Sequence, residues 1–359
     1  MRRIAIAGAI AAIAATVLIA VAANSVHIEA SATERVSSKW HSTRGLAALL
    51  ENYDGGDYAV IGRDPTLARP EVYRTLDAAA YRAQRPLFGE LAWVGSLGNP
   101  DRVPITLAVL SVLSTAFAVM ALGALLVRRG ISPFFALGVF ALPGVLTIVY
   151  DMMPELLQLG LLTVGLLAWE SRPRHARWAI VAFTLAALTR ESSLLVPIVL
   201  IAMELPRIRT RSALRAMQGL AIPFIAYASW IVFIRVRVGA WPMSARSGRL
   251  TGVPFGGLVN ALEHSPNRSA AALWAAIGMF VLVVALVRGR RNAWYFTAIA
   301  FAVMGVFLGW SVWQRPDYFG RVLLPLYAYG AIVAGSALWA AHRPFVTLDR
   351  ARSPVRSVS

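Results

Sequence analysis

Long apolar runs, separated by short basic segments, make up most of the chain. Runs of about 18 or more apolar residues are long enough to cross the hydrocarbon core of a bilayer. Because lipid offers backbone N–H and C=O groups no hydrogen-bond partner, each crossing run must fold as a helix. The pattern therefore predicts an all-α polytopic membrane protein with about ten transmembrane helices. We place the runs at residues 4–23, 103–127, 133–150, 156–169, 178–189, 192–203, 220–234, 270–287, 294–310 and 322–341.

One long polar segment interrupts this pattern after the first run. Within it, Gly45–Tyr53 and Leu76–Val94 have helical character, with loops between them. We therefore expect four regions: a first transmembrane helix (1–23), a large extracytoplasmic loop with short helices (24–102), a transmembrane helix bundle (103–341) and a basic cytoplasmic tail (342–359).

The first run has an alternative interpretation as a cleaved signal peptide. It follows two arginines, and small residues lie near Ala20, which is the arrangement of a cleavage site. Its apolar length of about 20 residues is greater than that of a signal-peptide apolar core, roughly 7–15 residues, and is enough to span a bilayer. We therefore expect an uncleaved helix.

Composition supports the membrane assignment and changes the meaning of the charge. The chain is 58% hydrophobic and only 15% charged, whereas about a quarter of a soluble domain is charged. A net charge of +17 would point to nucleic acid in a soluble protein. Here the basic residues lie beside the apolar runs, so we expect the lipid bilayer, and no nucleic acid, as their partner. The chain has no cysteine, which excludes disulfides and thiolate zinc sites.

The positions of the arginines predict the orientation, because short cytoplasmic loops are enriched in Lys and Arg. With the N-terminus inside, the short outside loops hold only Arg190, Arg315 and Arg321. A single helix from Trp178 to Met203 would invert every later loop, so we expect two short helices that meet near Arg190. The protein is then a multi-pass plasma-membrane protein with both termini in the cytoplasm. The inside segments carry Arg2, Arg3, Arg128, Arg129, Arg172, Arg174, Arg177, Arg207, Arg209, Arg211, Arg215, Arg288, Arg290, Arg291, Arg343, Arg350, Arg352 and Arg356.

Two turns at the outer ends of helices contain ionisable residues. Asp151 and Glu155 lie in "YDMMPELL", and Arg190 and Glu191 lie in "LTRESSLL". A charge at membrane depth costs about 2.5–3.5 kcal/mol at a helix centre, so such residues usually have a function. The alternative is that they sit at the interface or simply pair with one another.

The outer segment contains the stretch "NYDGGDYAVIGRDP". Glycines allow a tight turn and bring the backbone close to a ligand. Two carboxylates at the spacing of Asp54 and Asp57 can serve as a base and a metal ligand. An Asp-Gly-Gly-Asp stretch is also a common ordinary turn.

Arginines in two further motifs are candidates for binding phosphate. Arg82 and Arg85 in "YRAQRPLFGELAW" would share one face of a helix, and guanidinium pairs hold phosphates well. Asp317 and Arg321 in "RPDYFGRVLLPLYAYG" precede the last apolar run. The alternatives are a solvated helix face for the first pair and a contact with lipid headgroups for Arg321.

The order of these motifs resembles that of bacterial cell-envelope glycosyltransferases of the multi-span GT-C class. The resemblance runs from about Asn52 to Leu326 and consists of "YDGGDY", "YRAQRPLFGELAW", the acidic "DMMPE" turn, "LTRESSLL" and "FGRVLLPL". One departure is Gly89, where the family pattern has proline.

The resemblance implies an inverting transferase. Its partners would be a polyprenyl-phosphate-linked sugar donor and an extracytoplasmic acceptor that is a glycan, lipid or protein. Asp54 would be the base, and Asp57 would assist it or bind a divalent metal such as Mg or Mn. Phosphate would be held by Arg321 together with Arg82, Arg85 or Arg190, next to Glu191. Supporting acidic residues would be Asp151, Glu155 and Asp317.

Two other functions remain open from the sequence. A transporter or lipid flippase also needs buried charges and broken helices, but it would place them near the midplane and not at one face. A non-catalytic envelope scaffold would need none of the candidate residues. If Asp54 and the arginines share one ligand, Asp54 should lie within about 10 Å of Arg321 or Arg190, which exceeds hydrogen-bond reach.

Overall fold

In a computed structural model of the chain, the described residues are 1–26, 45–52, 54–76, 78–242, 250–288 and 291–342. Apart from an isolated antiparallel bridge between Leu250 and Leu308, these ranges contain only helices, turns and irregular segments. The predicted all-α class is therefore confirmed. Residues 27–44 of the expected outer loop, Tyr53 and residues 343–359 of the expected tail lie outside the described ranges.

The α-helices are numbered here in chain order. They are α1 Arg2–Ser25, α2 Gly45–Asn52, α3 Gly55–Arg63, α4 Pro70–Tyr73, α5 Ala79–Ala83, α6 Pro86–Gly95, α7 Val103–Arg128, α8 Val145–Tyr150, α9 Glu155–Glu170, α10 Ala176–Thr189, α11 Leu195–Glu204, α12 Arg211–Val238, α13 Gly256–His264, α14 Arg268–Arg288, α15 Ala293–Val306, α16 Trp310–Trp313, α17 Pro316–Val322 and α18 Leu324–His342. Short 3-10 helices cover Pro100–Arg102, Pro133–Ala141, Glu191–Leu194 and Leu205–Arg207.

Three helices among the described residues are long and apolar enough to cross a membrane alone. They are α1, α7 (together with the 3-10 turn before it) and α12, and a bent pair, α17 with α18, makes a fourth. The remaining apolar runs form shorter or interrupted helices. The membrane assignment thus agrees with the fold, but the expected number of about ten full spans is not confirmed.

Helix α1 packs closely against α7 because its contact face consists of small residues. Ala7, Ala11 and Ala15 repeat every four residues and are fully buried. Gly8 lies on the same face, and a side chain there would collide with Met120 of α7. Small residues at this spacing let two membrane helices approach closely without a polar contact.

The run predicted at 133–150 is not one helix, which corrects the sequence interpretation. A 3-10 helix ends at Ala141 and α8 begins at Val145. Pro143 has no N–H to continue a helix, and Gly144 adopts a left-handed φ of 75°. A Cβ on Gly144 would meet the backbone oxygen of Asp317 at 2.8 Å, so the break lets α8 pack against α17.

The predicted break near Arg190 is confirmed. Helix α10 ends at Thr189, Arg190 has extended backbone angles, and a 3-10 turn leads into α11. The later runs differ from the prediction. The run expected at 294–310 ends as a helix at Val306, and the run at 322–341 begins after a bend of 68° between α17 and α18. The run expected at 220–234 is the middle of the longer α12.

The outer segment folds onto one end of the bundle. The stretch expected to be one helix, Leu76–Val94, is divided between α5 and α6. A small second core forms where Ile234, near the end of α12, packs among buried side chains of α3 to α5 and their connections. These side chains are Val60, Leu67, Tyr73, Leu76, Ala80 and Ala83. This packing fixes the outer segment against the bundle.

Candidate active site

A cavity of about 540 Å³ lies where the outer segment meets the broken ends of the bundle helices. Its lining contains both charged and apolar side chains. The charged side chains are those of Asp54, Arg82, Arg85, Glu155, Arg190, Glu191 and Arg321. The apolar side chains include those of Leu194, Leu195, Ile198, Leu250, Met304, Leu308, Val312 and Val322. Such a wall suits a ligand with a polar head and a hydrocarbon tail.

Asp54 immediately precedes α3 and lies among the charged side chains of the lining. Arg321 Nη2 donates a hydrogen bond of 3.0 Å to Asp54 Oδ2, and Arg82 Nη1 lies 3.6 Å from Asp54 Oδ1. The structure therefore brings together residues that are 267 positions apart. The expected proximity of Asp54 and Arg321 is observed.

The two glycines after Asp54 begin helix α3 and do not form an isolated turn, which corrects the sequence interpretation. Gly55 N–H donates to Asp151 Oδ1 at 3.1 Å. A Cβ on Gly55 would overlap the backbone oxygen of Asp151, so only glycine permits this approach. The backbone that Gly55 approaches is therefore that of the acidic turn, and the contact fixes Asp54 beside it.

Arg82 joins the two aspartates of the outer segment. Its Nη1 lies 3.0 Å from Asp57 Oδ2, and Asp57 is largely buried behind the cavity wall. No group of three or more His, Cys, Asp or Glu side chains that could hold a metal occurs in the part of the chain that the structure describes. A divalent cation at Asp54 and Asp57 would have to displace the Arg82 guanidinium, so this donor set fits a metal poorly.

Arg85 and Glu191 form the second ion pair of the wall. Arg85 Nε donates to Glu191 Oε2 at 2.7 Å, and Arg85 Nη2 donates to the Tyr81 hydroxyl at 3.0 Å. Burial raises the pKa of Glu191, but the guanidiniums of Arg85 and Arg190 outweigh it and lower the pKa to about 2. Glu191 therefore stays ionised at neutral pH.

The third pair, Arg190 with Glu155, is the most deeply buried. Arg190 lies directly after α10, and its Nη1 donates to Oε1 of Glu155, the first residue of α9. Glu155 Oε2 has no hydrogen-bond partner among the described residues. The pair therefore leaves one carboxylate oxygen at the cavity without a donor.

Arg321 is held on several sides. Its Nη1 lies 3.6 Å from Met153 Sδ and 4.0 Å from Asp151 Oδ2, and its guanidinium lies 4.9 Å from the centre of the Tyr318 ring. Its Nε is buried and has no partner among the described residues. One donor of this guanidinium thus remains for a ligand.

Asp151 supports the site from behind the wall. It is 3% exposed and lies in the turn between α8 and α9, outside the membrane-spanning segments. Burial raises its pKa well above the ordinary value, and the Gly55 N–H and the Arg321 guanidinium offset only part of this effect. The buried position therefore favours the neutral acid more than an exposed aspartate would.

Asp317 is the one sequence candidate that the structure directs elsewhere. It accepts hydrogen bonds from Arg315 Nε at 3.1 Å and from Arg315 Nη2 at 3.0 Å. It is not among the residues that line the cavity. Its carboxylate therefore neutralises a neighbour at the start of α17.

Several cavity residues were missed by the sequence interpretation because they are neutral. Tyr81 lies four residues before Arg85 and Tyr318 lies three before Arg321, and each ring packs against that arginine. This spacing is the signal that could have found them. The other neutral polar residues of the wall are Tyr58, Ser192, Ser311 and Gln314.

Comparison with known proteins gives a fold but no sequence family. No family model and no curated protein matches the sequence. Among solved structures, the chain is similar to ArnT from Cupriavidus metallidurans bound to undecaprenyl phosphate, with a TM-score of 0.54 and 15% identity. The match covers 92% of this chain and 59% of ArnT, so the chain spans little more than half the length of that protein. The chain thus has a GT-C-type fold.

Proposed function

We propose that the protein is a membrane glycosyltransferase that moves a sugar from a polyprenyl-phosphate donor to an extracytoplasmic acceptor. The observation that carries the proposal is the contact between Asp54 and Arg321, 3.0 Å apart, in a cavity lined by both charged and apolar side chains. An acid beside a guanidinium supplies both a base for the acceptor and a cation for the leaving phosphate. The GT-C-type fold supports this reading.

The apolar and the charged side chains of the lining correspond to the hydrocarbon chain and the phosphate of such a donor. The apolar side chains of Leu195, Ile198, Met304 and Leu308 would contact the first isoprene units. The guanidiniums of the lining would contact the phosphate, since arginine binds phosphate oxygens in a fixed geometry. In the ArnT structure the bound molecule is undecaprenyl phosphate, which is a ligand of this chemical type.

Each cavity arginine is paired with a carboxylate in the structure, so donor binding must exchange partners. Arg321 would leave Asp54 for a phosphate oxygen, and its buried Nε would gain an acceptor. The exchange costs little because one anion replaces another. It also frees Asp54 Oδ2 to accept a hydrogen bond from an acceptor hydroxyl.

The transfer itself is a displacement at the anomeric carbon. Asp54 takes the proton of the acceptor hydroxyl, and the acceptor oxygen forms the new bond to the anomeric carbon. The bond from that carbon to the phosphate oxygen breaks, and the polyprenyl phosphate leaves with the electron pair. Direct displacement inverts the configuration. Because negative charge grows on the phosphate, a fixed Arg321 stabilises the transition state more than the bound donor.

The direct test uses purified protein and a panel of radiolabelled polyprenyl-phosphate sugars. Membranes from cells that lack the protein supply the acceptor. We expect label to move from the lipid donor to a product, and Asp54→Asn to slow transfer about 10²–10⁴-fold, the usual contribution of a general base.

The matched control for this test is Asp317→Asn, which makes the same change outside the cavity. It should transfer at the wild-type rate. Transfer by Asp54→Asn at the wild-type rate, or no transfer from any donor by the wild type, would contradict the proposal and leave a transporter or a scaffold as the better reading.

A further inference from the structure

Two buried polar atoms of the cavity have no hydrogen-bond partner among the described residues. One is an acceptor, Glu155 Oε2, and the other is a donor, Arg321 Nε. Both residues line the same cavity, and the Glu155 side chain is only 1% exposed. Buried polar groups nearly always have a hydrogen-bond partner. A ligand that supplies both a donor and an acceptor here would remove the desolvation cost of both unpaired atoms.

The neighbours of Glu155 do not supply the missing donor. Arg190 reaches Oε1, and Arg85 is engaged with Glu191 and Tyr81. Gln158, one turn further along α9, donates instead to Ser192 Oγ at 3.1 Å and to Ser193 Oγ at 2.9 Å. No described neighbour is therefore hydrogen-bonded to Glu155 Oε2.

Glu155 and Arg321 face the same part of the cavity. Arg321 Nη1 contacts Met153, two residues before Glu155, and also approaches Asp151 in the same turn. A ligand held by Arg321 is thus beside the first residue of α9. The two unsatisfied atoms can be served by two neighbouring groups of one molecule.

We infer that Glu155 recognises the hydroxyl on the sugar carbon next to the phosphate-bearing carbon of the donor. This inference rests on the proposed function. A glycosyl phosphate presents a phosphate oxygen, which accepts from Arg321 Nε, and an adjacent hydroxyl, which donates to Glu155 Oε2. Because the two groups sit on neighbouring carbons, one sugar phosphate can present both at once.

Glu155 is then a specificity-determining residue for the donor. Positive charge develops at the anomeric carbon as the phosphate leaves, and hydrogen bonds to the adjacent hydroxyl strengthen in such transition states. A donor without this hydroxyl would leave a buried carboxylate oxygen unpaired, which a site built for a hydroxyl strongly disfavours.

The test compares donor binding in two soluble analogues, citronellyl-phosphoryl mannose and its 2-deoxy form. Affinities are measured by titration calorimetry on the detergent-purified full chain, so no acceptor is needed. We expect the wild type to bind the mannosyl compound about 10–100 times more tightly, the range for a hydrogen bond to a charged group. The ratio should fall to about 2–10 in Glu155→Gln, which keeps a neutral acceptor, and to about 1 in Glu155→Met, which has none.

The matched control is Glu204→Gln, because Glu204 is also a buried glutamate paired with an arginine, Arg172, at 2.9 Å. It does not line the cavity, so its variant should keep the wild-type ratio. A ratio near 1 in the wild type, or equal loss of both ligands in Glu155→Gln, would overturn the inference and assign Glu155 to holding Arg190 alone. If neither compound nor free citronellyl phosphate binds, the proposed function itself is wrong.

Discussion

At the residue scale, the site consists of ion pairs that join distant parts of the chain. Arg321 with Asp54 links α17 to the outer segment, and Arg85 with Glu191 links the outer segment to the turn before α11. Removing one partner leaves a buried charge uncompensated, which is far more costly than the pair is stabilising. The geometry of each guanidinium therefore matters as much as its charge.

Arg321→Lys tests whether geometry at this position matters. Lysine keeps the positive charge, but its one nitrogen replaces the two through which Arg321 reaches Asp54 and Asp151, and it lacks the planar fork that binds phosphate oxygens. We expect kcat/KM for sugar transfer to fall about 10²-fold, as when one stabilising donor is lost. Arg315→Lys is the control, because Arg315 pairs with Asp317 outside the cavity, and equal losses in both variants would contradict the assignment.

Asp151→Asn tests the protonation state of the buried acid. The raised folded-state pKa favours the neutral acid, and asparagine reproduces the shape and the neutral charge of that form. Its side-chain oxygen can still accept from Gly55 N–H. We expect the unfolding temperature in detergent to change little for Asp151→Asn and to fall in Asp151→Ala, which loses about 1–3 kcal/mol for the unpaired N–H.

The opposite outcome has a clear meaning. If Asp151→Asn is as unstable as Asp151→Ala, the carboxylate is ionised and its charge stabilises the Arg321 guanidinium.

A raised pKa also makes the free energy of unfolding depend on pH. The neutral acid dominates below the folded-state pKa, and stability from Asp151 declines as pH rises above the unfolded-state pKa, because the unfolded state ionises first.

Residue types and order were enough to find most of the site. The motifs identified Asp54, Arg82, Arg85, Arg190 and Arg321, all of which line one cavity. Their pairing partners did not follow from the sequence, because an ion pair between Arg85 and Glu191 spans 106 positions. Asp317 pairs instead with Arg315, two residues before it at the start of α17, and does not line the cavity.

At the element scale, the outer segment is braced by the end of α12. Trp230 Nε1 donates to the Ala83 backbone oxygen at 2.8 Å, and the Tyr227 hydroxyl donates to Gln84 Oε1 at 3.2 Å. These bonds hold the junction between α5 and α6. Arg82 and Arg85 flank that junction, so α12 positions both guanidiniums without touching the cavity.

Trp230→Phe tests this brace. Phenylalanine keeps the ring that stacks on Phe233 but cannot donate to Ala83. We expect KM for the donor to rise several-fold, on the order of one lost hydrogen bond, with a smaller effect on kcat because the contact between Asp54 and Arg321 is not part of the brace. Trp178→Phe, at an exposed position on α10, is the control. A fall in kcat alone would contradict a positioning role.

The breaks in the helices show where sequence interpretation reached its limit. An apolar run indicates that a segment lies in the membrane, but it does not show whether that segment is one helix or two. The break at Arg190 could be predicted because a charge pair lies inside the run. The break at 142–144 contains Pro143 and Gly144, a turn signal that the apolar pattern concealed, whereas the bend at Leu323 lies in apolar sequence. Gly144 and Gly320 let the backbone of the first break contact α17.

At the scale of the whole molecule, the site lies at one end of the bundle. Gly62 of α3 packs against Val103, so the outer segment and Asp101 lie at the N-terminal end of α7. At the other end of α7, Arg128 Nη1 donates to the Leu167 backbone oxygen at 3.1 Å and to Ser171 Oγ at 3.2 Å. A helix of this length, at 1.5 Å per residue, is about 39 Å long and separates the two ends by a full bilayer.

The orientation of α7 in the membrane decides on which side a sugar would be transferred. The arginine distribution predicts that the Asp54 end is extracytoplasmic and that the segment around Arg174 is cytoplasmic. The natural chain has no cysteine, so Asp101→Cys and Arg174→Cys each introduce a single thiol at an exposed position. In right-side-out vesicles, a membrane-impermeant maleimide should label Asp101→Cys at once and Arg174→Cys only after permeabilisation. The unmodified chain is the background control. The reverse pattern would place the cavity at the cytoplasmic face, where an extracytoplasmic acceptor could not reach Asp54, and the fold would stand while the proposed reaction would not.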